Sequence, residues 1–264
     1  MSRAPTILVF DSGLGGQTVL REIVKLRPSA RYVYVADDAF FPYGQHAEEA
    51  IIARVVPLMG ELIDAHAPDL VVIACNTAST LVMAAIREAY GVPFVGTVPA
   101  IKPACASSKS RRVSVLGTKG TVKREYTKAL IRDFAQGCEV TLVGAEHLAS
   151  LAEAALRGER VADDAIAAEI APCFVTDGNG ADTRTDTIVL ACTHYPLLME
   201  RLTRLAPWPV DWIDPAPAIA RRVANLLGAT DHPAASDPAL FVFTSGQQPS
   251  AALTTALQPF LVRV

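Results

Sequence analysis

Apolar β-type runs alternate with longer stretches of helical periodicity along the whole chain. "TILVF" (6–10), "RYVYVA" (31–36), "LVVIA" (70–74), "PFVG" (93–96), "RRVSVLG" (111–117), "EVTLVG" (139–144), "TIVLA" (187–191), "VDWID" (210–214) and "LFVFTS" (240–245) read as strands. Between them lie helical patterns such as "GQTVLREIVKLR", "TASTLVMAAIREAY", "TVKREYTKALIRDFA", "EHLASLAEAALRGE", "PLLMERLTRL" and "PAIARRVANLLG". The segment "HAEEAIIARVVPLMGELIDAH" carries Pro57, which is expected to kink or divide it. Mostly apolar strands alternating with helices predict α/β architecture with parallel sheets, because crossover helices then cover both sheet faces.

In such sheets ligands sit beyond the carboxyl ends of the strands. The unusual residues of this chain cluster there: "DSGLGG" after the first strand, "DDAFFPYG" after the second, "CNT" after "LVVIA", "TKGT" after "VSVLG" and "CTH" after "TIVLA". Core packing does not explain small, polar or reactive residues at five strand ends. The pattern occurs twice in rough form, which predicts two similar α/β units facing each other. The Pro-rich stretches "GTVPAIKPA" (96–104) and "APWPVDWIDPAPA" (206–218) are expected crossovers, and "TDGNGADTRTD" (176–186) and "TDHPAASDPA" (230–239) are expected surface loops.

With 264 residues, 51% of them apolar, the chain has ample material for buried cores. The net charge of −3 and the absence of a Lys/Arg run argue against a nucleic-acid partner. No apolar run reaches membrane-spanning length, and the N-terminal stretch lacks a signal-peptide h-region, so a cytoplasmic protein without membrane association is expected. The five cysteines, 75, 105, 138, 173 and 192, form no C-x-x-C pair. A disulfide framework is not expected, and most free cysteines simply fill cores.

"DSGLGG" lacks the third glycine of a dinucleotide fingerprint, and Asp37 and Asp38 only mimic its ribose ligand. A tight turn that needs glycine, or a small anion held by loop amides at a helix N-terminus, fits it better. "GTKGT" lacks the spacing of a P-loop. Cys192 and His194 could be metal ligands or a nucleophile pair, but further ligands are not evident. Either reading leaves Cys75 unused.

Cys75 and Cys192 occupy the same kind of strand-to-helix junction, in "VVIACNTAST" and "IVLACTHYPLL". A thiol at a helix N-terminus is expected to have a lowered pKa and to suit general acid–base work. Two such thiols on opposite sides of a tetrahedral carbon can remove a proton from one face and deliver one to the other. The outcome is inversion, with one cysteine for each enantiomer.

The stretches "VFDSGLGG", "ADDAFFPYG", "VIACNTAST", "VPAIKPA", "LGTKGTV", "ACTHYPLL" and "WIDPA", in this order, resemble the glutamate racemases of the cofactor-independent aspartate/glutamate racemase superfamily. The resemblance covers essentially the whole chain, and "GAEHLASLAEAALRGE" is similar to the proteobacterial branch. It implies that Cys75 and Cys192 are the proton donors and acceptors, with Asp11, His194 and Glu153 as further catalytic groups. It implies substrate contacts from Asp11, Ser12, Pro42, Tyr43, Gly44, Asn76, Thr77, Thr118, Thr121, Thr193 and His194. Phe40 and Phe41 depart from the smaller or more polar residues usual there.

The resemblance further implies two α/β domains with the site between them, the second inserted into the first. The expected division is 1–97 plus 209–264, and 98–208. L- and D-glutamate are the implied substrates, with no metal or cofactor, D-glutamate feeding peptidoglycan precursors, and a homodimer as the family's usual assembly. Rival readings are racemisation of aspartate or a hydantoin, decarboxylation, a non-catalytic amino-acid-binding protein on this fold, and a pyridoxal-phosphate racemase, for which no lysine and phosphate cup is evident.

Overall fold

The computed structural model describes residues 3–178, 183–228 and 237–261. Residues 179–182 and 230–236 of the two expected polar loops, and residue 229 just before the second, lie outside the described residues.

All nine expected strands form, in two sheets of parallel strands. The first sheet holds β1 (Thr6–Asp11), β2 (Arg31–Ala36), β3 (Leu70–Ile73), β4 (Phe94–Gly96) and β9 (Leu240–Phe243), in the order β4-β3-β1-β2-β9. The second holds β5 (Arg112–Thr118), β6 (Glu139–Ala145), β7 (Thr187–Ala191) and β8 (Asp211–Ile213), in the order β6-β5-β7-β8. Every residue of β1, β3 and β7 is buried, as strands covered by helices on both faces must be. On the first sheet, α1 (Gln17–Leu26), α10 (Ala216–Leu227) and α11 (Ala251–Leu261) cover one face, while α2 (Glu48–His66) and α3 (Asn76–Ala89) cover the other. The second sheet has α4 (Ile101–Ser107) and α6 (Glu125–Phe134) on one face. Its other face carries α7 (Leu148–Leu156), α8 (Asp163–Ile170) and α9 (Met199–Leu205).

The two orders are the same when β1, β2, β3 and β4 are matched to β5, β6, β7 and β8. In each sheet the chain runs from the first strand to one side and then crosses to the other, so the winding reverses between the first and third strands. Such a switch point opens a crevice at the strands' carboxyl ends. Asp11 ends one strand and Cys75 follows the other at one switch point; Thr118 ends one strand and Cys192 follows the other at the second.

Four local expectations change. Pro57 does not divide its helix, since α2 runs unbroken from Glu48 to His66. The stretch 96–104 is not only crossover, because α4 begins at Ile101. The helix expected from Thr121 to Ala135 starts earlier, as α5 (Lys119–Lys123), and breaks at Arg124, whose backbone is extended at φ −68° and ψ 143°. The expected return to the first sheet at residue 209 comes too early. β8 pairs in parallel with β7 through Asp211–Ile213 as the counterpart of β4, so the chain rejoins the first sheet only with α10.

Candidate active site

Cys75 follows β3 and caps the N-terminus of α3, with the Ala78 amide donating to its sulfur at 3.5 Å. Its thiol donates to Ser12 Oγ at 3.6 Å. The expected lowering of its pKa does not occur. Burial pushes the thiol up to about 12, the Asp11 charge adds to this, and the Ala78 amide and Ser12 offset only part of it. One amide and a hydroxyl do not replace the hydration a buried thiolate loses.

Cys192 follows β7 and precedes a 3₁₀ turn, Tyr195–Leu198, rather than an α-helix. Its sulfur lies 3.9 Å from His194 Nδ1. His194 Nε2 is 2.7 Å from Glu153 Oε2, and Arg157 Nη2 is 3.1 Å from Glu153 Oε1. Burial opposes a charged His194, but its bonds to Cys192 and Glu153 win and hold its pKa well above the usual value. Burial likewise opposes the Glu153 carboxylate, and His194 and the Leu14 amide hold its pKa low. Nε2 therefore carries the proton shared with Glu153, and the Gly15 amide at 3.2 Å is a close approach rather than a second donor to that nitrogen.

The loop after β1 joins these halves. Asp11 Oδ1 accepts from the Gly13 amide at 2.9 Å, and Asp11 Oδ2 accepts from Thr193 Oγ1 at 2.9 Å. Burial raises the Asp11 pKa, with His194 pulling the other way. The Leu14 amide donates to Glu153 at 3.1 Å. The loop amides do hold anions, and those anions are the protein's own carboxylates. Gly13, Gly15 and Gly16 are not at positive φ, so turn freedom does not explain them. Close approach does for Gly15, where a Cβ would come 2.4 Å from His194 Nδ1 and 2.6 Å from Thr193 Oγ1.

A cavity of about 20 Å³ lies at the centre, lined by Ser12, Phe41, Pro42, Tyr43, Gly44, Cys75, Asn76, Thr77, Thr118, Ala149, Cys192, Thr193 and His194. The Thr77, Thr118 and Thr121 hydroxyls form a triangle at 3.0–3.3 Å across the two sheets. Both polar atoms of the Asn76 amide are buried without a partner among the described residues, which is costly unless something else binds them. The Tyr43 hydroxyl is not free, since it donates to Asp37 Oδ2 at 2.5 Å. Phe41 packs against His194 with ring centroids 5.3 Å apart. A wider hollow of about 250 Å³ adjoins this cavity at Pro42, Gly44, Thr118 and Ala149.

Residues 9–223 match the family model described as Asp/Glu/Hydantoin racemase. The chain belongs to that racemase family. It is 55% identical over 260 residues to the glutamate racemase of Brucella ovis, covering 97% of this chain and 92% of that one. The crystal structure of Escherichia coli glutamate racemase, in complex with L-glutamate and the activator UDP-MurNAc-ala, superposes with a TM-score of 0.87 at 40% identity. That match covers 98% of this chain and 96% of the other. Glutamate racemase isoform RacE1 of Bacillus anthracis gives a TM-score of 0.77 at 25% identity, covering 97% and 94%.

The racemase fold brings together every site residue expected from the sequence. Thr121 stands behind Thr77 and Thr118, and Glu153 stands behind His194. Sequence reasoning missed the supports. Asp37 is fully buried and holds Tyr43, Thr244 Oγ1 at 2.6 Å and Arg54 Nη2 at 2.7 Å. Arg124 spans the two sheets, and the only signal for it was a basic residue inside an otherwise ordinary helical pattern. No helix among the described residues is long and apolar enough to cross a membrane.

Proposed function

We propose that this chain interconverts L- and D-glutamate, with Cys75 and Cys192 as the acid–base groups on opposite faces of the substrate Cα. One observation carries the reading: the two thiols, at equivalent strand ends of two facing sheets, line one cavity. One sulfur, as thiolate, takes the Cα proton, and the other, as thiol, gives a proton to the opposite face. The product leaves the two sulfurs with their protonation states exchanged, ready for the reverse reaction. The Asn76 amide, the threonine hydroxyls and the backbone amides of Tyr43 and Gly44 supply donors to the substrate carboxylates and to charge developing beside Cα. Asp11 and Ser12 serve the Cys75 side; His194 and Glu153 serve the Cys192 side.

A space of about 20 Å³ holds roughly one water molecule and no amino acid. Substrate entry therefore requires the sheets to part, loosening bridges such as Thr193–Asp11 and Leu14–Glu153. The choice of glutamate is supported by the named relatives and by the L-glutamate held by the Escherichia coli protein. The reading includes a cofactor-independent cytoplasmic enzyme supplying D-glutamate for peptidoglycan precursors, organised as two domains and assembling as a homodimer.

The test is the circular dichroism of L-glutamate incubated with the pure protein and a chelator, without added cofactor. The signal should decay to zero. A stable signal, or decay with aspartate or a hydantoin but not glutamate, overturns the reading.

A further inference from the structure

The cavity is lined by hydroxyls, amides and thiols, with no lysine or arginine, and the charge of its one imidazole, His194, is already paired with Glu153. A carboxylate leaving water for neutral hydroxyls faces a large desolvation cost unless a cation lies close by. Arg124 is such a cation. The break between α5 and α6 leaves its backbone extended and sends its side chain off both helices towards α3. There Nη1 donates to Thr77 O at 2.7 Å and to Thr80 Oγ1 at 2.8 Å. Thr77 also carries the hydroxyl that meets Thr118 and Thr121.

The charge of Arg124 is poorly compensated. Its side chain is only 5% exposed, and it meets the first turn of α3, the positive end of that helix. Its Nε makes no hydrogen bond among the described residues. The Glu48 carboxylate lies 3.5 Å from Nε but is 58% exposed and well hydrated. A guanidinium placed at a positive helix end with a weak counterion keeps charge that a second anion can offset. Burial also holds the Arg124 pKa below its ordinary range, with Glu48 and the Cys75 sulfur opposing that shift.

We infer that Arg124 is a positioning residue whose buried charge draws one substrate carboxylate into the Thr77–Thr118–Thr121 cluster, acting through α3 and its field rather than by contact. The inference rests on the glutamate reading and adds the electrostatic source of substrate affinity. It places that source on the second sheet while its hydrogen bonds end on the first, so the carboxylate site is complete only when the sheets are together.

The test is steady-state kinetics with both enantiomers, together with Tm, for wild type, Arg124→Met, Arg124→Lys and Glu48→Gln. Arg124→Met should raise KM for both enantiomers about tenfold while kcat changes less than about threefold, the pattern of lost uniform binding. A single nitrogen makes both hydrogen bonds, so the ammonium of Arg124→Lys should return KM to within about threefold of wild type. Glu48→Gln removes an exposed competitor for the charge and should lower KM about twofold. A merely structural clasp would lower Tm in Arg124→Met and leave KM unmoved; that result overturns the inference. So does a rise in KM for Glu48→Gln, which remains measurable even if Arg124→Met fails to fold. A wild type that leaves glutamate unracemised overturns the functional reading and this inference together.

Discussion

Cys75 and Cys192 sit at matching places in two sheets of the same strand order, yet their surroundings differ. Cys75 faces a helix N-terminal amide and the Ser12 hydroxyl, with the Asp11 carboxylate near enough to raise its pKa further. Cys192 faces an imidazole that Glu153 holds in its charged form. The fold repeats but the electrostatics do not, because each sheet borrows from the other: Glu153 of α7 accepts from Leu14, and Thr193 donates to Asp11. Duplication sets where the thiols lie, and the contacts across the cleft set how each is tuned. At rest, the Cys75 side favours a protonated sulfur, and the His194 side places a positive charge beside the other sulfur.

The largest effect tests whether both halves are needed. Cys75→Ser and Cys192→Ser should each lower racemisation about 10³-fold, because serine keeps the shape but is far less acidic. The resemblance to glutamate racemases implies that Cys192 serves L-glutamate and Cys75 serves D-glutamate, and we propose that assignment. In D2O, Cys75→Ser should then exchange the Cα proton of L-glutamate slowly without inversion, and Cys192→Ser should do so with D-glutamate. Proton NMR of each enantiomer reads this. Near wild-type racemisation by either variant breaks the two-thiol mechanism, whereas exchange of the opposite enantiomer only reverses the assignment.

The next effect tests the unequal tuning. Asp11→Asn should cost the direction begun by Cys75 more, and His194→Asn the direction begun by Cys192, each by about 10²-fold in kcat. The enantiomers have equal free energy, so kcat/KM must stay equal in the two directions and the asymmetry must appear as matched changes in kcat and KM. Equal kcat losses in both directions for both variants would erase the comparison.

The Glu153–His194 pair also predicts a pH signature of stability. Glu153 has its folded pKa lowered, so its contribution is present above its ordinary 4.5 and is lost as pH falls through the lowered value. His194 has its folded pKa raised, so its contribution is present below its ordinary 6.5 and is lost as pH rises through the raised value. Wild type should therefore exceed Glu153→Gln in stability most between 4.5 and 6.5, by about 3 kcal/mol, the cost of breaking a buried pair. Denaturant melts across pH measure the gap. A gap that is constant from acid to alkali would mean that Glu153 is only a packing group.

The sequence made the strands legible because each is a short apolar run bounded by polar or glycine-containing stretches, and it made the thiols legible because each ends such a run. The equal strand order of the sheets was not legible, since "VDWID" reads as a strand within a Pro-rich crossover, and only its pairing with β7 shows which sheet it joins. Nor was the direction of the Cys75 pKa. Helix position can be inferred from "ACNTAST", but complete burial follows only from the second sheet closing over it. Asp37 and Arg124 escaped for a related reason. Their partners, Thr244 and Thr77, are distant in sequence, and neither residue belongs to a local pattern.

The smallest effect concerns a difference between the loops after the second strand of each sheet. β6 is followed almost at once by α7, but β2 is followed by the long stretch 37–47 that carries Tyr43 and Gly44 to the cavity. That stretch has a dedicated brace, the buried Asp37 carboxylate, which accepts from Tyr43, Arg54 and, from the end of β9, Thr244. Thr244 is the weakest member to remove, because Arg54 still bonds the same oxygen, Oδ1, at 2.7 Å. Thr244→Val keeps the shape and deletes one hydroxyl, so stability should fall by about 1 kcal/mol. KM should rise about twofold with kcat unchanged, since the turn contacts substrate and transition state alike. Arg54→Met, which leaves a buried carboxylate without its cation, should exceed Thr244→Val in both measures. If Thr244→Val instead lowers kcat and spares KM, the chain's returning strand acts on the chemistry itself, and the brace around Asp37 is not what distinguishes the first sheet's loop from the second's.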